Sequence, residues 1–174
     1  MKKLHLSEEL LYVMPMNNEK FAQELRKLLA SIDFDKRYYA FVESHRNFPP
    51  MKDIRQEQLA TAIANASLDV VYVKKEIFYK HIELHPVGKI GLNIFFSHSN
   101  IEAIFVFHSP GVAGSYHGLA RDIGEMRNPN FCPEPPYPRL PFSNVIELQE
   151  AVDLVVQLFQ EGKKLILAYN SWTI

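Results

Sequence analysis

Four segments rich in Val, Ile, Phe and Tyr follow one another at residues 68–73, 77–84, 90–97 and 101–108, and the breaks between them are very short. Such residue types suit a pleated, half-buried surface. The breaks are Lys74-Lys75-Glu76, residues 85–89, and His98-Ser99-Asn100. A parallel crossover needs a dozen or more residues, so connections this short make successive strands antiparallel neighbours. The sequence predicts an antiparallel meander of four to five strands, with one face available for helices.

Helical periodicity flanks this block on both sides. Asn17 or Asn18 can cap a helix whose apolar residues Phe21, Leu25, Leu28, Leu29 and Ile32 form one stripe. Phe48-Pro49-Pro50 breaks the chain before a second helix over 53–66, with Leu59, Ala62 and Ile63 inward. Residues 38–42 fit a short strand or a helical turn equally well. After the meander, a short helix is expected over 116–126, with Leu119, Ile123 and Met126 on one side. Ser143 or Asn144 then caps the longest helix, striped with Leu148, Ala151, Val152, Val155 and Phe159. Gly162 is placed to end that helix as a left-handed cap, and residues 165–169 to add a last strand. The expected class is α+β: a sheet packed against N-terminal and C-terminal helices, as one globular domain over 1–174. A chain of 174 residues has the length of one domain. It can bury about 70% of its unfolded surface, enough for a core without disulfide staples.

Composition removes several classes. Apolar residues make up 47% and charged residues 22%, which excludes disordered, collagen-like and coiled-coil chains. Lys plus Arg number 19 against 20 for Asp plus Glu, without the basic excess of a nucleic-acid binder, so no nucleic-acid partner is expected. The most apolar long stretch, 90–107, contains Asn93, His98, Asn100 and Glu102, so no membrane-spanning segment is expected. Lys2-Lys3 is followed by Ser7-Glu8-Glu9 rather than by the apolar run of a signal peptide. With Cys132 as the single cysteine, the expected location is cytoplasmic.

The seven histidines raise a metal site, and strand geometry argues against it. With Ser99-Asn100 as the hairpin turn, His108 lies opposite Gly91 rather than beside His98. His81 and His85 share one face of a strand but stand roughly 13 Å apart at about 3.3 Å per residue, too far to share an ion. No His-Glu-x-x-His pattern occurs, so neither metal nor cofactor is expected. The loop Ser109-Pro110-Gly111-Val112-Ala113-Gly114-Ser115-Tyr116-His117-Gly118 leaves a strand and enters a helix, a topology that can turn backbone N–H groups toward an anion. It lacks the P-loop ending and the dinucleotide glycine spacing, and its glycines equally permit left-handed turns. Cys132, in Phe131-Cys132-Pro133, has no base beside it in sequence; His117 would reach it only by a tertiary contact. Ser109 and Ser115 lack the Gly-x-Ser-x-Gly elbow. No catalytic residue is assigned.

Residues 129–141 hold six of the eleven prolines. Pro135-Pro136-Tyr137-Pro138-Arg139 should be extended, tied to the body by Phe131, Tyr137 and Phe142. The competing reading is a preorganised recognition edge with Tyr137 and Arg139 outward, both residue types favoured at binding hot spots. The expected partner-binding surface therefore comprises Tyr137 and Arg139 from this strap, with Tyr116, His117 and Arg121 from the neighbouring loop and helix. Glu147, Glu150, Asp153 and Glu161 on the last helix read as a solvated face, with steering of a basic partner as the alternative.

The order of these features resembles some small bacterial immunity proteins. It runs from a meander through Gly111 to His117 and Gly118-Leu119-Ala120, then to Tyr137-Pro138-Arg139 and Phe142-Ser143 before a long helix. Such proteins accompany polymorphic or contact-dependent growth-inhibition toxins, and the likeness covers roughly residues 90–160. It implies a non-enzymatic cytosolic protein that binds and neutralises one cognate toxin. The near-neutral charge departs from the acidic balance expected of an inhibitor of a basic nuclease. The alternative is a small hydrolase or ligand-binding domain using the loop 111–117. Nothing in the sequence sets an oligomeric state.

Overall fold

The first helix, α1 (Asn18–Ser31), buries Phe21, Leu25 and Leu29 along the expected stripe. The computed structural model describes residues 18–47, 49–51, 54–110, 116–118, 120–134 and 139–169, with backbone alone at 18, 117 and 118. The candidate cap Asn17, the break residue Phe48, the expected helix start Asp53, and Leu119 lie outside the described residues. Asp33, in a left-handed conformation (φ 52°), turns the chain into α2 (Phe34–His45). The ambiguous residues 38–42 are therefore helical. Tyr38 and Val42, one turn apart, are both buried, a spacing that a five-residue window cannot separate from a strand. Helix α3 (Gln56–Asn65) follows, with Ala62 and Ile63 buried.

The meander forms as expected: β1 (Val71–Val73), β2 (Phe78–His85), β3 (Gly88–Ser97) and β4 (Asn100–His108), each antiparallel to the next. Two additions flank β4. β5 (Tyr116–Gly118) pairs with its second half, and β6 (Leu140–Pro141) with its start. The β3–β4 register differs from the expected one by a one-residue shift of the turn. Ser97 pairs with Asn100, so the turn is His98-Ser99, and His108 lies opposite Lys89 rather than Gly91. Two-residue hairpins need left-handed backbone to match strand twist, and His98 supplies it with φ 55°.

Pleat alternation places Tyr79, Ile90, Leu92, Ile94, Ile101, Phe105, Phe107 and Leu140 on one face, all buried. The helices pack there. Phe21 of α1 meets Phe107 with ring centroids 5.3 Å apart, Phe34 of α2 meets Phe105 at 6.4 Å, and Phe159 meets Phe105 at 5.3 Å. On the opposite face Phe78 stacks on Phe95 at 4.7 Å.

Four expectations for the C-terminal third are corrected. Residues 116–118 are strand rather than helix, because Tyr116 pairs opposite Phe107 and extends the sheet. The helix α4 (Ala120–Arg127) starts only afterwards, and Met126 is exposed rather than inward. Asn144 does cap the longest helix, α5 (Val145–Ala168), its side chain accepting from the N–H groups of Ile146 and Glu147. Gly162 does not end α5, and residues 165–168 are its last turn rather than a strand. A β-carbon at 162 would lie 2.8 Å from Leu29 Cδ2 and 3.3 Å from the Phe105 ring. Glycine is there because α5 approaches α1 and β4 closely, with Ile166 carrying the buried stripe onward. Among the described residues no helix is long and apolar enough to cross a membrane.

Candidate functional site

Of the five residues expected to meet a partner, the structure removes one and restrains two. Tyr116 is 6% exposed, because alternation along β5 turns it to the helix face. The Arg26 guanidinium lies 5.8 Å from the centroid of its ring. Burial, with Asp122 nearby, pushes the phenol up to about 12. The outward Tyr116 is thus a correction: the side chain belongs to the core. Arg121, half-buried, donates from Nε to Glu125 Oε1 at 2.5 Å within α4. Arg139 is exposed but pairs with Glu102 of β4 at 3.1 Å. His117 pairs its backbone with Val106, its side chain lying outside the described residues, as do Tyr137 and residues 111–115 of the loop. The strap is tied down as expected at two points. Phe131 meets the Tyr39 ring at 4.9 Å, and Phe142 is buried. Cys132 is an exposed free thiol, and Ser109 is buried.

A second cluster joins the sheet to α5. His81, Glu83 and His85 alternate onto the helix face at the end of β2. Glu83 Oε1 accepts from His81 Nε2 at 2.8 Å and from Lys163 Nζ at 2.7 Å, and Oε2 accepts from His85 Nε2 at 2.9 Å. His81 Nδ1 stands 2.5 Å from the Asp69 carbonyl. His81 is thereby held at both ring nitrogens, by the β2 carboxylate on one side and the Asp69 carbonyl on the other. Burial raises the Glu83 carboxyl, but the bonds from Lys163, His81 and His85 outweigh it and bring it down to about 2. Glu83 fills the space between the two histidines. Weighing the histidines alone missed it, although His-x-Glu-x-His in a strand already places all three on one face. The carboxylate is saturated with donors, so the cluster works as a lock between β2 and α5. Among the described residues no group of three His, Cys, Asp or Glu is placed to hold a metal ion.

The third feature is a groove between α3 and the start of α5, of about 620 Å³. Ala62 and Leu148 form its buried part, while Val145 and Ile146 stand on its wall at 48% and 68% exposure. These two aliphatic residues sit on a rigid element. Asn144 caps the helix, and Glu147 reaches back to accept from the Ser143 N–H at 2.7 Å and from its hydroxyl at 2.8 Å. One end of the groove is tied across by Asn65 Nδ2 donating to Gln149 Oε1 at 3.1 Å and Gln149 Nε2 donating to the Ala62 carbonyl at 3.0 Å. Sequence reasoning missed this groove, since Val145 and Ile146 fall off the buried stripe only once the helix phase is known. The arrangement offers apolar area and amide groups, suited to holding a side-chain row rather than to bond chemistry.

No protein-family model matches this chain, and neither does a curated protein or a solved structure.

Proposed function

We propose that the protein works by binding another protein directly, and that this partner is a cognate toxin of the bacterial growth-inhibition kind, as the sequence resemblance implies. The observation that supports direct binding is the α3–α5 groove with Val145 and Ile146 held outward on a capped helix. Large aliphatic side chains exposed together beside a cleft mark interaction sites more often than chance surface composition does. The contact surface accordingly moves from the loop and strap to this groove, since Tyr116 is buried and Arg121 and Arg139 already have carboxylate partners.

The test is co-purification with the product of the adjacent gene, followed by titration. Ile146→Asp should weaken binding by about 2 kcal/mol or more, as loss of a central anchor does. Arg139→Ala and Arg121→Ala should leave affinity within about 0.5 kcal/mol if they lie outside the contact. Failure of the neighbouring product to bind the folded wild-type protein would remove the immunity role.

A further inference from the structure

We infer that the α3–α5 groove takes a basic amphipathic helix of the partner protein. The inference rests on the protein-binding reading above and specifies the chemistry of the segment bound. Both walls carry a carboxylate, Glu57 on α3 and Glu150 on α5, and among the described residues no Lys or Arg lines the groove. Glu57 has no ionic partner among the described residues, and Glu150 has only His45, with Nε2 at 4.0 Å. Asp153, one turn beyond Glu150, is exposed and accepts from Gln149. From Val145 to Gly162, α5 has four carboxylates and no basic residue.

Two carboxylate walls beside an apolar floor complement a helix whose aliphatic stripe is flanked by Lys or Arg. The positive end of the α5 dipole does not oppose this, because Glu147 already sits on the first-turn N–H region. Arg55, the nearest guanidinium in sequence, lines the neighbouring hollow against Tyr72 and Tyr79 instead. A second copy of this chain is a poor occupant. Its own helix with Lys20, Arg26 and Lys27, α1, already buries Phe21, Leu25 and Leu29.

The experiment uses two synthetic helices of the same pattern, Leu/Lys and Leu/Glu, each labelled and titrated with the whole protein by fluorescence anisotropy. The Leu/Lys peptide should bind, the Leu/Glu peptide should not, and affinity should fall several-fold between about 50 and 300 mM salt. Glu57→Lys with Glu150→Lys should weaken binding about tenfold or more, and Ile146→Ser by about tenfold, each roughly the 1.4 kcal/mol of a lost contact. Glu76→Lys, on the remote β1–β2 turn, should leave it within about twofold. Melting curves check that each variant folds. Equal binding of both peptides, or binding unmoved by the Glu57/Glu150 charge reversal, overturns the inference, as does concentration-dependent dimerisation blocked by Ile146→Ser. The neighbouring gene product is titrated against the same variants. If it binds wild-type protein but ignores the charge reversal, the binding role stands and the basic-helix inference falls. If it does not bind at all, the binding role itself fails.

Discussion

A β-carbon on Gly162 would stand 2.8 Å from Cδ2 of Leu29, so α5 and α1 meet at a point that a side chain on α5 would block. Alanine would favour the helix by about 1 kcal/mol. Overpacking a filled core costs about 1–3 kcal/mol, and both Leu29 and the Phe105 ring are fully enclosed. Gly162→Ala should therefore lower stability by about 1 kcal/mol, and Gly162→Val by more. Urea midpoints measure it. Leu29→Ala should cost less in the Gly162→Ala background than in the wild type, and strict additivity would show that the two sites do not press on each other.

The Glu83 lock gives a pH signature. Its carboxyl lies at about 2 in the folded protein against 4.5 for an ordinary glutamate. A group lowered in this way stabilises fully above about 4.5 and loses that contribution as pH falls toward 2. Each unit is worth about 1.36 kcal/mol, and with the carboxylate 28% exposed the contribution at neutral pH is on the order of 2 kcal/mol. Glu83→Gln should lower stability by roughly that amount at pH 7 and flatten the decline between pH 5 and 3, read from urea melts across pH. A parallel decline in both proteins would assign acid sensitivity to other carboxylates.

Ile77 closes the β1–β2 turn with φ 56° while 66% exposed. A β-branched residue in left-handed backbone costs about 1–2 kcal/mol, and little burial is lost by replacing it. Ile77→Asn should therefore stabilise the fold by about 1 kcal/mol, visible as a higher melting temperature. A lower one would mean that the Ile77 side chain contributes packing that its exposure does not suggest.

The sheet was legible because its signals are local. Alternation and short breaks at residues 68–108 determine pairing without reference to anything distant. The turn at His98-Ser99 was misplaced by one residue, since Ser and Asn are commoner turn formers and the left-handed histidine is a three-dimensional outcome. Gly162 and Tyr116 were misread for a common reason. A glycine near a helix end and a tyrosine in a glycine-rich loop look alike in sequence whether they cap, face solvent or pack. What distinguishes them is a neighbour far along the chain: Leu29 for one, Phe107 for the other. The groove was illegible for the same reason, because its walls are separated by some eighty residues of chain, as in the Asn65–Gln149 bond.

The order of elements along the chain has a consequence for synthesis. The three hairpins joining β1 to β4 close between residues adjacent in sequence, so the sheet can assemble soon after residue 108 leaves the ribosome. The helix that covers Phe105 and supplies Lys163 to Glu83 runs from Val145 to Ala168 and emerges much later. In that interval the apolar face of Leu92, Phe105 and Phe107 is only partly sheltered by α1 and α2, and it is sticky in the way that half-built sheets are. A nascent chain stalled before Val145 should thus recruit holdase chaperones, and one extended past Ala168 should release them.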